Sequence, residues 1–255
     1  MLARPYCLLE CDAMRSLLLT FVLLLTAVWV PAYAQQALPG VTAGVQYDII
    51  EAGQPYQSLP PGMVEVAEIF AYTCPHCAHF APMLDTWAKQ LPAHAKLVFV
   101  PGVFDRDDPW SRAFFAAQAS KSLTVLHPRL FAAIHETGDL PRNADTAQII
   151  AFASKVQGVN AAAFKAAMLN NASLLPKLKA AYEFAARSEV QGTPSIIVAG
   201  RYRIRGDSYE GLLANTLAVV NALAPRRAAP AKLSATPAVK PAAKPATAAP
   251  AKPRS

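Results

Sequence analysis

One stretch constrains this chain more than any other: Ile69-Phe70-Ala71-Tyr72-Thr73-Cys74-Pro75-His76-Cys77-Ala78-His79-Phe80. Val64, Val66, Ile69, Phe70 and Tyr72 are β-branched or aromatic and predict a buried strand leading into it. Pro75 suits a first helical turn, where its fixed φ fits and its missing N–H costs nothing. Behind it Phe80, Leu84, Trp87, Ala88 and Leu91 recur at helical spacing and give the helix one apolar face. A strand therefore runs straight into a helix at Cys74. Its sulfur meets free backbone N–H groups and the positive end of the helix dipole. Such a place favours the thiolate, the form in which cysteine attacks or leaves.

The flanking sequence extends this unit. Tyr47–Ile50 predicts a short strand, and Pro60-Pro61-Gly62 a turn before the main strand over Met63–Tyr72. After the cysteine helix, Lys96–Val100 predicts a second buried strand, closed by Pro101-Gly102. Strand, helix and strand make a βαβ unit with parallel strands. Strand signals then vanish. Helical spacing predicts helices over Trp110–Ala119, Leu126–Glu136, Ala144–Lys155, Ala161–Leu169 and Leu174–Ser188, with Asn160 as an N-cap. This block reads as all-helical and inserted into the α/β part. Strands return at Ser195–Ala199 and Tyr202–Ile204, an antiparallel hairpin with a tight turn at Gly200-Arg201, and a last helix covers Ser208–Leu223.

The two ends differ from the body. Arg15, the apolar run Leu17–Val30 and Ala32-Tyr33-Ala34 have the order of a secretory signal with translation starting at Met14 and cleavage after Ala34. The apolar run is shorter than the ~18 residues of a spanning helix. From Pro225 to Ser255 Ala, Pro and Lys alternate without a hydrophobic period, so this tail is expected to be disordered. It carries seven basic residues and no acid, whereas Gln35–Ala224 balances 15 basic against 15 acidic ones. The net charge of +7 belongs largely to the tail and does not make the body a nucleic-acid binder. Cleavage removes Cys7 and Cys11, leaving Cys74 and Cys77, too few for a disulfide-stapled scaffold.

Two thiols at i and i+3 at a helix start can close a reducible disulfide, with Cys74 attacking and Cys77, one turn in, resolving. The pair also admits a static disulfide, or half of a zinc or copper site with His76 or His79 as further ligands. Zinc, however, needs three or four protein ligands, and no second Cys-x-x-Cys or His pair follows. A c-type haem needs His after the second cysteine, where Ala78 stands. His76, between the thiols, can lower the Cys74 pKa by a hydrogen bond or a positive charge. His79, His94, His127 and His135 are expected at surfaces or helix ends. Glu68 is an acid inside an apolar strand whose alternation leaves its facing open. Buried, it would have a raised pKa and could pass a proton to Cys77; otherwise it is an exposed edge acid.

The order strand, Cys-x-x-Cys helix, strand, helical insert, Gly192-Thr193-Pro194, hairpin and closing helix resembles the DsbA family of thioredoxin-fold thiol–disulfide oxidoreductases, from Tyr47 to about Leu223. Cys74-Pro75-His76-Cys77 looks like its active-site tetrapeptide, Thr193-Pro194 like its cis-proline loop, Glu68 like its buried acid, and Pro82 like the proline within thioredoxin active-site helices. Base rates alone would leave Thr193–Pro194 trans; the resemblance implies cis. It also implies an α/β thioredoxin-like fold with an inserted all-helical domain: residues 35–104 and 189–224 for the thioredoxin part, 105–188 for the insert. One departure stands out. The family's buried lysine partner of the acid falls here near Phe99. The implied activity is disulfide donation to newly exported cysteine-containing proteins in the periplasm, by a monomer without organic cofactor or metal. A quinone-linked membrane protein of DsbB type would reoxidise it. A reductase or isomerase of the same fold is the nearest alternative, and a metal-binding or folding-helper module the one from another class.

Overall fold

The structure is a computed structural model that describes residues 37–105 and 107–224. The expected signal and start at Met14 (1–34) and the Ala/Pro/Lys tail (225–255) lie outside the described residues. Among the described residues twelve elements follow in order: β1 Tyr47–Ile49, β2 Val64–Phe70, α1 Pro75–Ala88, β3 Ala95–Pro101, α2 Pro109–Ala119, α3 Leu123–His135, α4 Thr146–Ala153, α5 Ala161–Met168, α6 Asn171–Arg187, β4 Ser195–Val198, β5 Tyr202–Ile204 and α7 Tyr209–Ala222.

The five strands form one sheet in the order β1-β5-β4-β2-β3. β2 and β3 are parallel, as a βαβ unit requires, and the other neighbours pair antiparallel. β2 has a strand on either side, and all seven of its residues are buried. Strand alternation sends Val64 and Val66 to one face, where they meet Phe80, Leu84 and Trp87 of α1 and Leu212, Leu213, Val219 and Val220 of α7. Ala67 and Ile69 face the other way. There they share one continuous core with Val100 and with Phe114, Leu130, Phe164 and Phe184 of the helical block. The sheet is thus sandwiched between the α1/α7 pair and helices α2–α6.

Capping fixes several boundaries the periodicity left loose. The Asn160 side chain accepts from Ala163 N–H at the start of α5, as expected. Asn170 accepts from Ser173 N–H and starts α6 three residues before the predicted Leu174. A reciprocal Asp145–Gln148 capping box starts α4 at Thr146 instead of Ala144. The hairpin turn sits one residue earlier than read from sequence: Ala199 and Gly200 both have positive φ (52° and 66°). Gly200 is also pressed against the Gln54 backbone, where an added Cβ would lie 2.1 Å from a carbonyl carbon.

Candidate functional site

Beyond β2, only Ala71, Tyr72 and Thr73 separate Phe70 from Cys74. Gly102 N–H donates to the Phe70 carbonyl (2.7 Å) and Cys74 N–H to the Ala71 carbonyl (3.1 Å). Cys74 is the N-cap of α1, with extended backbone and Pro75 directly after it. Both cysteines are free thiols, Cys74 half-buried and Cys77 buried. The Cys74 thiol donates to the Thr193 carbonyl oxygen at 3.2 Å, on the loop whose Thr193–Pro194 bond is cis. The fold therefore brings together Cys74, Pro75, His76, Cys77, Thr193 and Pro194 from two distant parts of the chain.

The two thiols differ sharply. Burial works against a Cys74 thiolate, but hydrogen bonds from the Thr193 side chain, the Cys77 N–H and thiol, and the His76 N–H outweigh it and hold its pKa below the ordinary thiol value. Burial pushes Cys77 far up, helped by the negative charges of Glu68 and Cys74, although Ala71 N–H and Thr193 pull the other way. One sulfur is half-exposed and ionises more readily than an ordinary thiol; the other is covered and keeps its proton.

Glu68 is 2% exposed, so the edge-acid alternative does not hold. It lies in register between Phe99 on β3 and Ile196 on β4, so the position where the resemblance implies a lysine carries a phenylalanine. Burial first, then the charges of Asp85 and Cys74, push its pKa up to about 8. At neutral pH it carries a proton close to Cys77, whose own pKa its charge raises.

His76 is exposed, and its ring Nδ1 pairs with the Tyr209 hydroxyl at 3.1 Å; its backbone N–H, not its ring, reaches Cys74. Sequence reasoning missed Tyr209, which follows the N-cap Ser208 and carries no signal of its own. It also misplaced His127. Expected at a surface or helix end, His127 is buried among Phe70, Tyr72, Phe99, Phe114 and Phe131, and its Nδ1 pairs with the Tyr72 hydroxyl at 2.8 Å. The signal was present: His127, Leu130, Phe131 and Ile134 recur at i, i+3, i+4 and i+7, the pattern of a core-facing stripe. His135 ends α3 as expected and reaches the Tyr72 carbonyl. Among the described residues no three His, Cys, Asp or Glu side chains gather in a way that would hold a metal ion.

Comparison with known proteins places this arrangement. A thioredoxin family model matches residues 60–215. The thiol:disulfide interchange protein DsbA of Bordetella parapertussis is 34% identical over 199 residues, 76% of this chain and 92% of the relative. Its counterpart of the same name in Burkholderia cepacia is 31% identical over 212 residues, 82% of this chain and 96% of the relative. Among solved structures, the oxidoreductase DsbA from Xylella fastidiosa superposes with a TM-score of 0.66 at 35% identity, covering 71% of this chain and 96% of that one.

Proposed function

Because the chain belongs to the DsbA family of thioredoxin-fold thiol:disulfide oxidoreductases, we propose that it oxidises thiol pairs in newly exported proteins, with Cys74 as the exchanging sulfur and Cys77 as the buried one. The observation that carries this reading is the inequality of the two thiols at one helix start.

In the oxidised enzyme, a substrate thiolate attacks Cys74 Sγ. The new S–S bond forms as the Cys74–Cys77 bond breaks, and Cys77 leaves with the electron pair. Its high pKa means it must be protonated, and buried Glu68, close enough for its charge to act on Cys77, can supply the proton. A second substrate thiolate then attacks the substrate sulfur of the mixed disulfide and displaces Cys74. The low pKa of Cys74 makes it the better leaving group. The substrate has lost two electrons and two protons. The electrons sit on the enzyme pair; Cys77 holds the proton Glu68 gave, Glu68 regains one of the two released by the substrate through solvent, and the other stays in solvent. The Thr193 backbone beside Cys74 offers an extended substrate segment a main-chain partner.

The substrates fit a periplasmic monomer released from its leader at Ala34. Reoxidation falls to a quinone-linked membrane protein of DsbB type, with the cysteine pair as sole redox group and no nucleic acid involved. The near-neutral body supports the last point. The test is stoichiometric: oxidised protein mixed with a reduced dithiol peptide should yield one peptide disulfide per enzyme. Transfer in the opposite direction, enzyme dithiol reducing peptide disulfide at equilibrium, would make it a reductase.

A further inference from the structure

The segment that delivers Cys74 is held from outside the thioredoxin part. Tyr72 is gripped by three residues of α3 at i, i+4 and i+8. His127 Nδ1 meets its hydroxyl at 2.8 Å, Phe131 lies on its ring at a centroid distance of 5.0 Å, and His135 Nε2 donates to its carbonyl at 2.7 Å. A carbonyl only accepts, so the His135 proton must sit on Nε2. Neighbouring groups of the lead-in have sheet or turn partners: Phe70 O takes Gly102 N–H, and Ala71 O takes Cys74 N–H. The Tyr72 carbonyl takes a histidine that stands just over two helical turns from the one on its hydroxyl. Tyr72 is 1% exposed, and both ends of the residue are held where a freed polar group is costly.

We propose that His127 and His135 are positioning residues for the exchange reaction: through Tyr72, α3 of the helical block fixes the lead-in whose Ala71 N–H faces Cys77 and whose end is Cys74. This rests on the oxidoreductase reading above. The link to chemistry is short. Ala71 N–H favours the Cys77 thiolate, the group that must leave when substrate attacks. The lead-in ends on Cys74, whose thiol donates to the Thr193 carbonyl at 3.2 Å. A site loosened by ~1 Å loses much of its rate.

The full chain carrying His135→Leu removes the donor at the end of α3; His135→Gln restores an amide N–H of similar reach. Three quantities are read on each: the equilibrium constant against glutathione, the pH profile of Cys74 alkylation, and kcat and KM for a dithiol peptide. His135→Leu is expected to lower kcat and shift the glutathione equilibrium by about five- to tenfold, with KM within about twofold, and His135→Gln to recover most of both. Tyr72→Phe, which keeps the ring and core, is expected to move the same readouts the same way by about twofold. Variants that melt lower while their glutathione equilibrium and alkylation profile match the parent would overturn the proposal and leave α3 a purely structural prop. Failure of the oxidoreductase reading would show differently, as absence of peptide oxidation by the parent itself.

Discussion

Two glutamates three residues apart on β2 are buried to the same degree, Glu65 and Glu68 at 2% exposure each, and face opposite sides of the sheet. Glu65 points to the side of the helical block and is satisfied there. Tyr56 and Gln57 N–H donate to its two oxygens at 2.7 and 2.9 Å, and Arg187 lends positive charge. Burial still raises its pKa, but these groups oppose the rise. Glu68 points toward α1. Among the described residues no hydrogen bond reaches its carboxyl group, and its charged neighbours, Asp85 and Cys74, are negative. The lesson is that burial alone does not tell a structural acid from a reactive one. Partners do: the first glutamate ties down a loop, and the second is left without one beneath two cysteines, as the proposed proton donor to Cys77 requires.

The largest effects should appear on the Glu68 side, above α1. Cys74→Ser is expected to abolish thiol oxidation and trap no substrate. Cys77→Ser should accumulate mixed disulfides through Cys74, visible as reductant-sensitive bands. Faster alkylation of Cys77 than of Cys74 in the reduced protein would reverse the two assignments.

Next, the glutamates themselves should respond with opposite signs. An acid whose folded pKa is raised weakens the fold as pH climbs from the unfolded value toward the folded one, here from 4.5 to about 8. Keeping Glu68 protonated at pH 7 costs about 3 kcal/mol. Glu68→Gln should thus raise the melting temperature at pH 7, give no gain below pH 4.5, and slow turnover by ~10²-fold. Glu65→Ala orphans two backbone N–H groups and should lower stability by roughly 3 kcal/mol, with the rate of the folded protein unchanged. Thermal melts of both variants at pH 4 and pH 7 check this, and equal signs at pH 7 would break the comparison.

A smaller effect concerns His127, a buried base with the same logic and opposite charge. Burial lowers its pKa from 6.5 to about 4. The unfolded chain therefore takes up a proton first as pH falls. The stability is fully present above 6.5 and lost as pH falls toward 4, by about 3 kcal/mol. His127→Phe should flatten this acid limb while costing ~1–2 kcal/mol at neutral pH, because the Tyr72 hydroxyl loses its partner. Denaturant unfolding from pH 4 to 7 measures both.

Much of this was legible in the residues. Cys-Pro-His-Cys behind an apolar strand announces a thiol at a helix start, because proline, dipole and periodicity act locally. The parallel pairing of β2 and β3 follows from the βαβ spacing. Glu68 was not legible as buried: facing depends on which strands flank β2, and β4 arrives from more than 120 residues downstream. The partners of Glu65 likewise come from loop geometry that no propensity encodes. His127 was missed because histidine was read by type and not by its place in the α3 stripe. The Phe99 departure, in contrast, was read from the sequence, and the register sets Phe99 beside Glu68.

The central claim is that the fold favours the Cys74 thiolate more than the unfolded chain does, so that the disulfide is the less stable form of the fold. A depressed thiol pKa stabilises the folded reduced protein; the gain is complete above the unfolded value and is lost as pH falls through the folded one. The loop closed by Cys74 and Cys77 is too short for the disulfide to compensate much by restricting the unfolded chain. The direct measurement is the melting temperature of oxidised and reduced protein at pH 7 and again near pH 3. The reduced form should melt higher at pH 7, with an advantage that shrinks in acid; an oxidised form that melts higher at pH 7 would contradict the account.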